Sequence, residues 1–179
     1  IWIGLDHGGL NYLDRSTGRF RHYQHDPEAP ESIGGDVIEQ IYEDREGQLY
    51  IGTYQNGFDI LDQEKKTFTH HWARHDPNNE MPLDVRSFLE DENGDLWIGT
   101  AGGFGLYRYM ADTGVLKMYR PDKTKKGHIS YDDITFLFED STKNLWVGTA
   151  WGLNLYEPAT DSFQSWMHDP VDTNTISSN

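Results

Sequence analysis

Apolar and β-favouring residues fall along this chain in short runs, separated by polar segments rich in Gly, Asp and Asn. One run returns four times in nearly the same form: Trp2-Ile3-Gly4, Tyr50-Ile51-Gly52, Trp97-Ile98-Gly99 and Trp146-Val147-Gly148, at intervals of 48, 47 and 49 residues. A fixed period of this length marks an array of supersecondary units that bury their apolar faces only by stacking on one another. No segment sustains a 3.6-residue apolar period, so helices are expected to be minor.

Aligned on the glycine of that phrase, the repeats share one grammar. Runs closing on Glu-Asp (Ile38 to Asp44, Val85 to Asp91, Ile134 to Asp140) predict a first strand. A tight turn follows, with Gly47 and Gly94 where positive φ is needed and Lys143 in the matching place of the last copy. Leu49 to Thr53, Leu96 to Thr100 and Leu145 to Thr149 are apolar or β-favouring at nearly every position. They predict second strands packed on both faces, which assigns Trp97 and Trp146 to the core. Third strands are read at Leu10 to Leu13, Phe58 to Leu61, Leu106 to Tyr109 and Leu153 to Tyr156. Polar turns then deliver fourth strands around Phe20 and Tyr23, Phe68 and Trp72, Leu116 and Tyr119, and Phe163 and Trp166.

Four short antiparallel strands per repeat, with a recurring Trp in one of them, describe blades of a β-propeller. Solenoid repeats are excluded, since they have shorter periods or helical periodicity. The expected fold is all-β: a β-propeller segment of four-stranded blades, three complete and one lacking its first strand. The boundaries read 1–36 for the partial blade (strands 2 to 4), then 37–84, 85–132 and 133–179 for the others. The chain opens on a second strand and closes just before another first strand is due. An open row of blades leaves faces bare at both ends, so a longer propeller or closure by association is expected.

Composition narrows the function. Of the 179 residues 36% are hydrophobic and 13% aromatic, enough for an ordinary core. Thirty acidic residues against fifteen basic ones give a net charge of −15, which repels phosphate backbones and anionic membrane surfaces. Neither nucleic acid nor membrane contact by this segment is expected. Cysteine is absent, so there is no disulfide framework and no thiolate metal site. No apolar run approaches the roughly 20 residues that span a bilayer. The first residues carry neither an initiator Met nor a basic, apolar leader, so any targeting segment is expected outside this sequence.

The string Leu96-Trp97-Ile98-Gly99-Thr100, preceded by Glu90-Asp91 and Gly94 and followed by Gly105-Leu106, resembles the two-component regulator propeller repeat of bacterial sensor proteins. The other copies follow with Glu43-Asp44 to Thr53 and Glu139-Asp140 to Thr149, and the phrases beginning at His25-Asp26-Pro27 and His168-Asp169-Pro170 resemble that family's inter-blade loops. Departures are Tyr50 for Trp, Lys143 for Gly, and a basic insert, Lys123 to Lys126, where other units have His-Asp-Pro. The resemblance implies a periplasmic, ligand-sensing input region of a membrane sensor, with a histidine kinase or cyclase as output elsewhere in the parent protein. Gly34-Gly35-Asp36 lacks the following Glu-Phe of a cyclase signature and sits in an inter-blade loop.

Candidate chemistry is sparse. His25-Asp26-Pro27, His75-Asp76-Pro77 and His168-Asp169-Pro170 pair imidazole with carboxylate, as metal sites do, but Asp before Pro is turn chemistry, and copies in successive blades do not converge. His22 and His70-His71 lie on outer strands with one solvated face. The Glu-Asp pairs at 43/44, 90/91 and 139/140 place adjacent carboxylates on opposite faces of a strand, which suits turn capping better than acid-base catalysis. No metal, cofactor or catalytic residue is assigned.

Recognition is sought where the copies disagree. The loop between second and third strands reads Asp6-His7-Gly8, Tyr54-Gln55-Asn56, Ala101-Gly102-Gly103-Phe104 and Ala150-Trp151. Aromatic faces beside amides on a rigid scaffold suit sugar rings or peptides, so His7, Tyr54, Gln55, Phe104 and Trp151 are the candidate ligand-binding residues. The function expected is non-catalytic sensing of a small-molecule ligand, with carbohydrate a fitting class; the other partners are the remaining blades or a second copy. A protein-interaction scaffold is the alternative, followed by a fragment of a propeller lyase or hydrolase. The latter needs convergent carboxylates in the channel, where the first strands offer Glu39, Arg86 and Thr135.

Overall fold

A computed structural model describes residues 1–71 and 84–178, which form fifteen β-strands and no helix. Trp72 and His75-Asp76-Pro77 lie outside the described residues. The chain divides into two compact units, Ile1–Val85 and Arg86–Asn179.

In the first unit, β1 (Trp2–Gly4), β2 (Leu10–Asp14) and β3 (Arg19–Tyr23) form one sheet; β4 (Ile38–Glu43), β5 (Leu49–Thr53), β6 (Phe58–Asp62) and β7 (Thr67–His71) form the next. The other two sheets are β8 (Asp84–Glu90), β9 (Leu96–Ala101), β10 (Leu106–Tyr109) and β11 (Leu116–Tyr119), and β12 (Ile134–Glu139), β13 (Leu145–Thr149), β14 (Gly152–Glu157) and β15 (Ser162–Trp166). Strands neighbour one another in sequence order in every sheet, the pattern of propeller blades. Three sheets have four strands and the first has three, as the repeat phase predicts.

The Glu-Asp pair ends each first strand and the Asp builds the turn. Asp44 Oδ1 accepts the N–H of Glu46 and Gln48, Asp91 Oδ1 those of Asn93 and Asp95, and Asp140 Oδ1 those of Thr142 and Asn144. Gly47, Gly94 and Lys143 occupy the left-handed position of this turn, with φ of 84°, 82° and 68°. Each Asp has a second task. Its Oδ2 accepts the indole N–H of Trp97 at 2.8 Å, that of Trp146 at 2.9 Å, or the Tyr50 hydroxyl at 3.1 Å. Tyr50 therefore replaces Trp with the donor kept, which satisfies a polar atom inside an apolar strand.

The glycine of the repeated phrase is a stacking position. A Cβ at Gly4 would come within 2.6 Å of Ile38 on the next sheet of the first unit, and one at Gly99 within 2.7 Å of Ile134 on the next sheet of the second. Leu10, Ile33, Leu49, Ile51, Leu61 and Phe68 form the first unit's core. Trp97, Leu106, Ile129, Ile134, Val147 and Tyr156 are prominent in the second.

Two tryptophans assigned alike to the core differ. Trp97 is fully buried, with Tyr156 of the following sheet edge-on at 4.7 Å and the Arg108 guanidinium 5.1 Å from its ring centre. Trp146 is half-buried: it has Trp166 of its own sheet at 5.7 Å, but among the described residues no sheet follows to cover it. Phe136 and Phe138 on β12, 47% and 55% exposed, share that situation.

Candidate functional site

The four loops that join a second strand to a third are closed by the residues around them. The Thr that follows the repeated phrase donates its hydroxyl across the loop: Thr53 to Gly57 O at 2.9 Å, Thr100 to Gly105 O at 2.6 Å and Thr149 to Gly152 O at 3.0 Å. The glycine ending each loop is sterically required in three copies. Gly9, Gly105 and Gly152 have φ of 67°, 89° and 113°. A Cβ on them would meet the carbonyl oxygens of Tyr23, Tyr119 and Trp166 at 2.2, 2.5 and 2.7 Å.

Held this way, the loop tips project outward. Trp151 is 56% exposed and Tyr54 42%; His7 and Gln55 are exposed, and Phe104 is half-buried against Gly102. His7 and Gln55 both adopt φ of 60°, a left-handed conformation uncommon outside glycine, at the position where the third copy has Gly102. Gln55 Nε2 donates to the Tyr54 hydroxyl at 3.0 Å, which joins two candidates into one amide-aromatic pair. His7 instead has Asp6 beside it, with Nδ1 to Oδ1 at 2.5 Å. The Trp151 N–H donates to Thr149 Oγ1 at 3.1 Å, fixing the backbone beneath the indole.

These loops share their rim with the inter-blade segments. In the first unit Gly9 N–H donates to Asp36 O at 2.8 Å, Ile38 N–H to Leu5 O at 3.1 Å, and Tyr54 N–H to Val37 O at 3.0 Å. In the second, Gly105 N–H donates to Asp132 O and Ala150 N–H to Asp133 O, both at 2.8 Å. Loops and inter-blade connections are thus hydrogen-bonded to one another.

The histidines have structural tasks. His25 Nδ1 lies 2.9 Å from Ile33 O, and His168 Nδ1 lies 2.8 Å from Ile176 O, each bracing an inter-blade loop. The following Asp caps a turn, with Asp26 Oδ1 accepting Glu28 N–H and Asp169 Oδ1 accepting Val171 N–H. His70 is more involved than its outer strand suggests. Its Nδ1 is 2.6 Å from Oδ1 of the buried Asp59, whose Oδ2 accepts Gly34 N–H at 2.7 Å, and its Nε2 is 3.0 Å from Pro30 O. Burial opposes the imidazolium, but the hydrogen bond and charge of Asp59 outweigh it and raise the His70 pKa. Asn154 repeats the device in the second unit, its Oδ1 accepting Ser130 N–H at 2.8 Å. The recurrence of Asn11, Asp59 and Asn154 between apolar residues was the readable signal. Glu39 and Thr135 are exposed at β-bulges, and among the described residues no group of three or more potential metal ligands is gathered.

Sheets of sequential antiparallel strands, repeated and stacked glycine against isoleucine, define a β-propeller architecture. The family model for the two component regulator propeller matches residues 32–55 and 79–102 of the chain. Among solved structures, it is similar to the extracellular domain of BT4673 from B. thetaiotaomicron, assigned to a hybrid two component system. The identity is 25%, over 99% of this chain and 22% of that one, with a TM-score of 0.78. It is 27% identical to the extracellular domain of BT3049 from the same organism, also assigned to a hybrid two component system, over 92% of this chain and 22% of that one, with a TM-score of 0.74. The chain thus spans about a fifth of each of these relatives, 22% in both cases. Virginiamycin B lyase from Staphylococcus aureus, 14% identical over 95% of this chain and 52% of that one with a TM-score of 0.67, shares the fold alone. No curated protein matches the chain.

Proposed function

We propose that this chain is part of the periplasmic, ligand-sensing input region of a two-component or related signalling protein and is not itself catalytic. Its similarity to two extracellular domains assigned to hybrid two component systems carries the reading. The ligand is a small molecule, with an oligosaccharide the class best suited to the loop tips: Trp151, Tyr54 and Phe104 offer ring faces, and Gln55 and His7 offer polar atoms beside them. Because Gly9 and Gly105 bond to Asp36 and Asp132, a ligand that favours one loop arrangement biases the inter-blade connections as well. A glycan array followed by calorimetry with the best glycan tests this. Saturable binding that Trp151→Ala weakens supports it; binding unaffected by substitution at any of the five loop residues contradicts it.

The exposed Phe136, Phe138 and Met167 favour a second partner, either a further blade of the parent protein or another copy of the chain, seated on the last sheet. Light scattering on a sizing column tests self-association. A dimer that Phe138→Glu dissociates supports a second copy, whereas a monomer at all concentrations leaves a further blade as the occupant.

A further inference from the structure

The connection leaving β11 reverses the charge of the chain. Residues 117–126 hold Lys117, Arg120, Lys123, Lys125 and Lys126, five of the fifteen basic residues of a protein whose net charge is −15. The connection and the start of β15 enclose an open groove of about 700 Å³ in the second unit. Met118 and Pro121 supply half-buried apolar lining over the buried Ile129 and Phe163, and Arg120, Lys123, Lys126 and His128 supply basic groups.

The groove has two acids, and both are already engaged. Asp161 Oδ1 accepts the hydroxyls of Tyr119 at 2.6 Å and Tyr156 at 2.9 Å, while its Oδ2 pairs with Lys117 Nζ. Asp122 accepts the N–H and hydroxyl of Thr124 at 2.9 and 2.6 Å and pairs with Lys125 at 3.3 Å. The Thr124 bonds hold its carboxyl at a pKa of about 2, so it stays ionised. Lys117 and Lys125 are therefore neutralised within the fold. Arg120, Lys123 and Lys126 have no carboxylate partner among the described residues, and Arg120 Nε is buried without a hydrogen-bond acceptor. A buried guanidinium nitrogen left unpaired is costly, and like charges gathered in a concave site focus potential on an incoming anion.

We propose that this groove is a second binding site, which takes a carboxylate-bearing oligosaccharide whose rings rest on the apolar lining and whose carboxylates meet Arg120, Lys123 and Lys126. The volume greatly exceeds that of a single inorganic ion and suits a ligand of a few rings. None of His7, Tyr54, Gln55, Phe104 and Trp151 lines the groove.

Calorimetry at low ionic strength with trigalacturonate is the test, with maltotriose as the uncharged sugar, sodium sulfate as the bare oxyanion and hexaglutamate as the acidic peptide. Trigalacturonate binds saturably, added salt weakens it, and maltotriose does not bind. The double variant Lys123→Gln/Lys126→Gln, altered only at exposed side chains, binds about tenfold more weakly with an unchanged thermal midpoint. Trp151→Ala leaves this affinity unchanged, which separates the groove from the loop tips. No saturable binding, an affinity unmoved by the double variant, or equal binding of sulfate or hexaglutamate overturns the proposal.

Discussion

The indole N–H of Trp97 donates to Oδ2 of Asp91, six residues earlier, at 2.8 Å inside the second unit's core. The same carboxylate holds the turn between their strands through its other oxygen. One residue thus couples turn geometry to the burial of the largest core side chain. Trp97→Ala should cost about 3–5 kcal/mol of stability, from lost burial and the resulting cavity. Trp97→Phe, which keeps most of the volume and removes the donor, should cost about 1–3 kcal/mol. Trp146→Ala should cost less than Trp97→Ala because Trp146 is only half-buried. Chemical denaturation of the three variants checks the order, and equal costs at positions 97 and 146 would contradict the described burial.

The loop-ending glycines give a steric prediction. Gly105→Ala places a methyl group 2.5 Å from the Tyr119 carbonyl oxygen at a φ of 89°, so both space and backbone oppose it. Gly18→Ala has a positive φ of 69° but nothing within 4 Å. The first substitution should lower the thermal midpoint by several degrees more than the second, since strain of about 1–3 kcal/mol is joined by a backbone clash.

The Asp59–His70 pair makes stability depend on pH. Its folded-state pKa is raised above the ordinary histidine value of 6.5, so the folded protein holds the His70 proton more tightly than the unfolded chain does. The contribution is therefore full below that value and is lost as pH rises through the higher folded-state pKa. His71 opposes it, because burial lowers its pKa. The informative quantity is the difference in stability between the native sequence and His70→Asn, in which His71 is common to both. That difference should shrink as pH is raised from below 6.5 to well above it. A difference independent of pH would mean that the pair carries no charge.

Much of the fold was legible because the apolar rhythm and the glycines are local signals. Strand order, the left-handed Lys143 and the three-stranded first sheet all follow from spacing along the chain. The partners of individual side chains were less accessible, since they depend on neighbours distant in sequence. Trp146 reads like Trp97 in its own strand, and only the sheet beyond it distinguishes the two. The Asp59–His70 contact joins residues that face each other across β6 and β7, a register that a strand assignment alone does not reveal. Tyr54 and Trp151 are exposed where the copies disagree but Phe104 is half-buried, a difference that loop position alone does not reveal; the left-handed backbone of His7 and Gln55 was not legible either, because neither is a residue that demands positive φ.

Among the loop aromatics Trp151, Tyr54 and Phe104, Trp151 offers the most exposed ring. Its indole is 56% exposed just before Gly152, so removing it should leave the fold intact and affect only what the loop binds. Calorimetry of Trp151→Ala with the best ligand from a glycan array, beside a thermal melt, is the decisive measurement. Affinity should fall at least about tenfold, the scale of one stacked aromatic contact, with a midpoint within a few degrees of the native value. Unchanged affinity, or a midpoint that collapses, would contradict this.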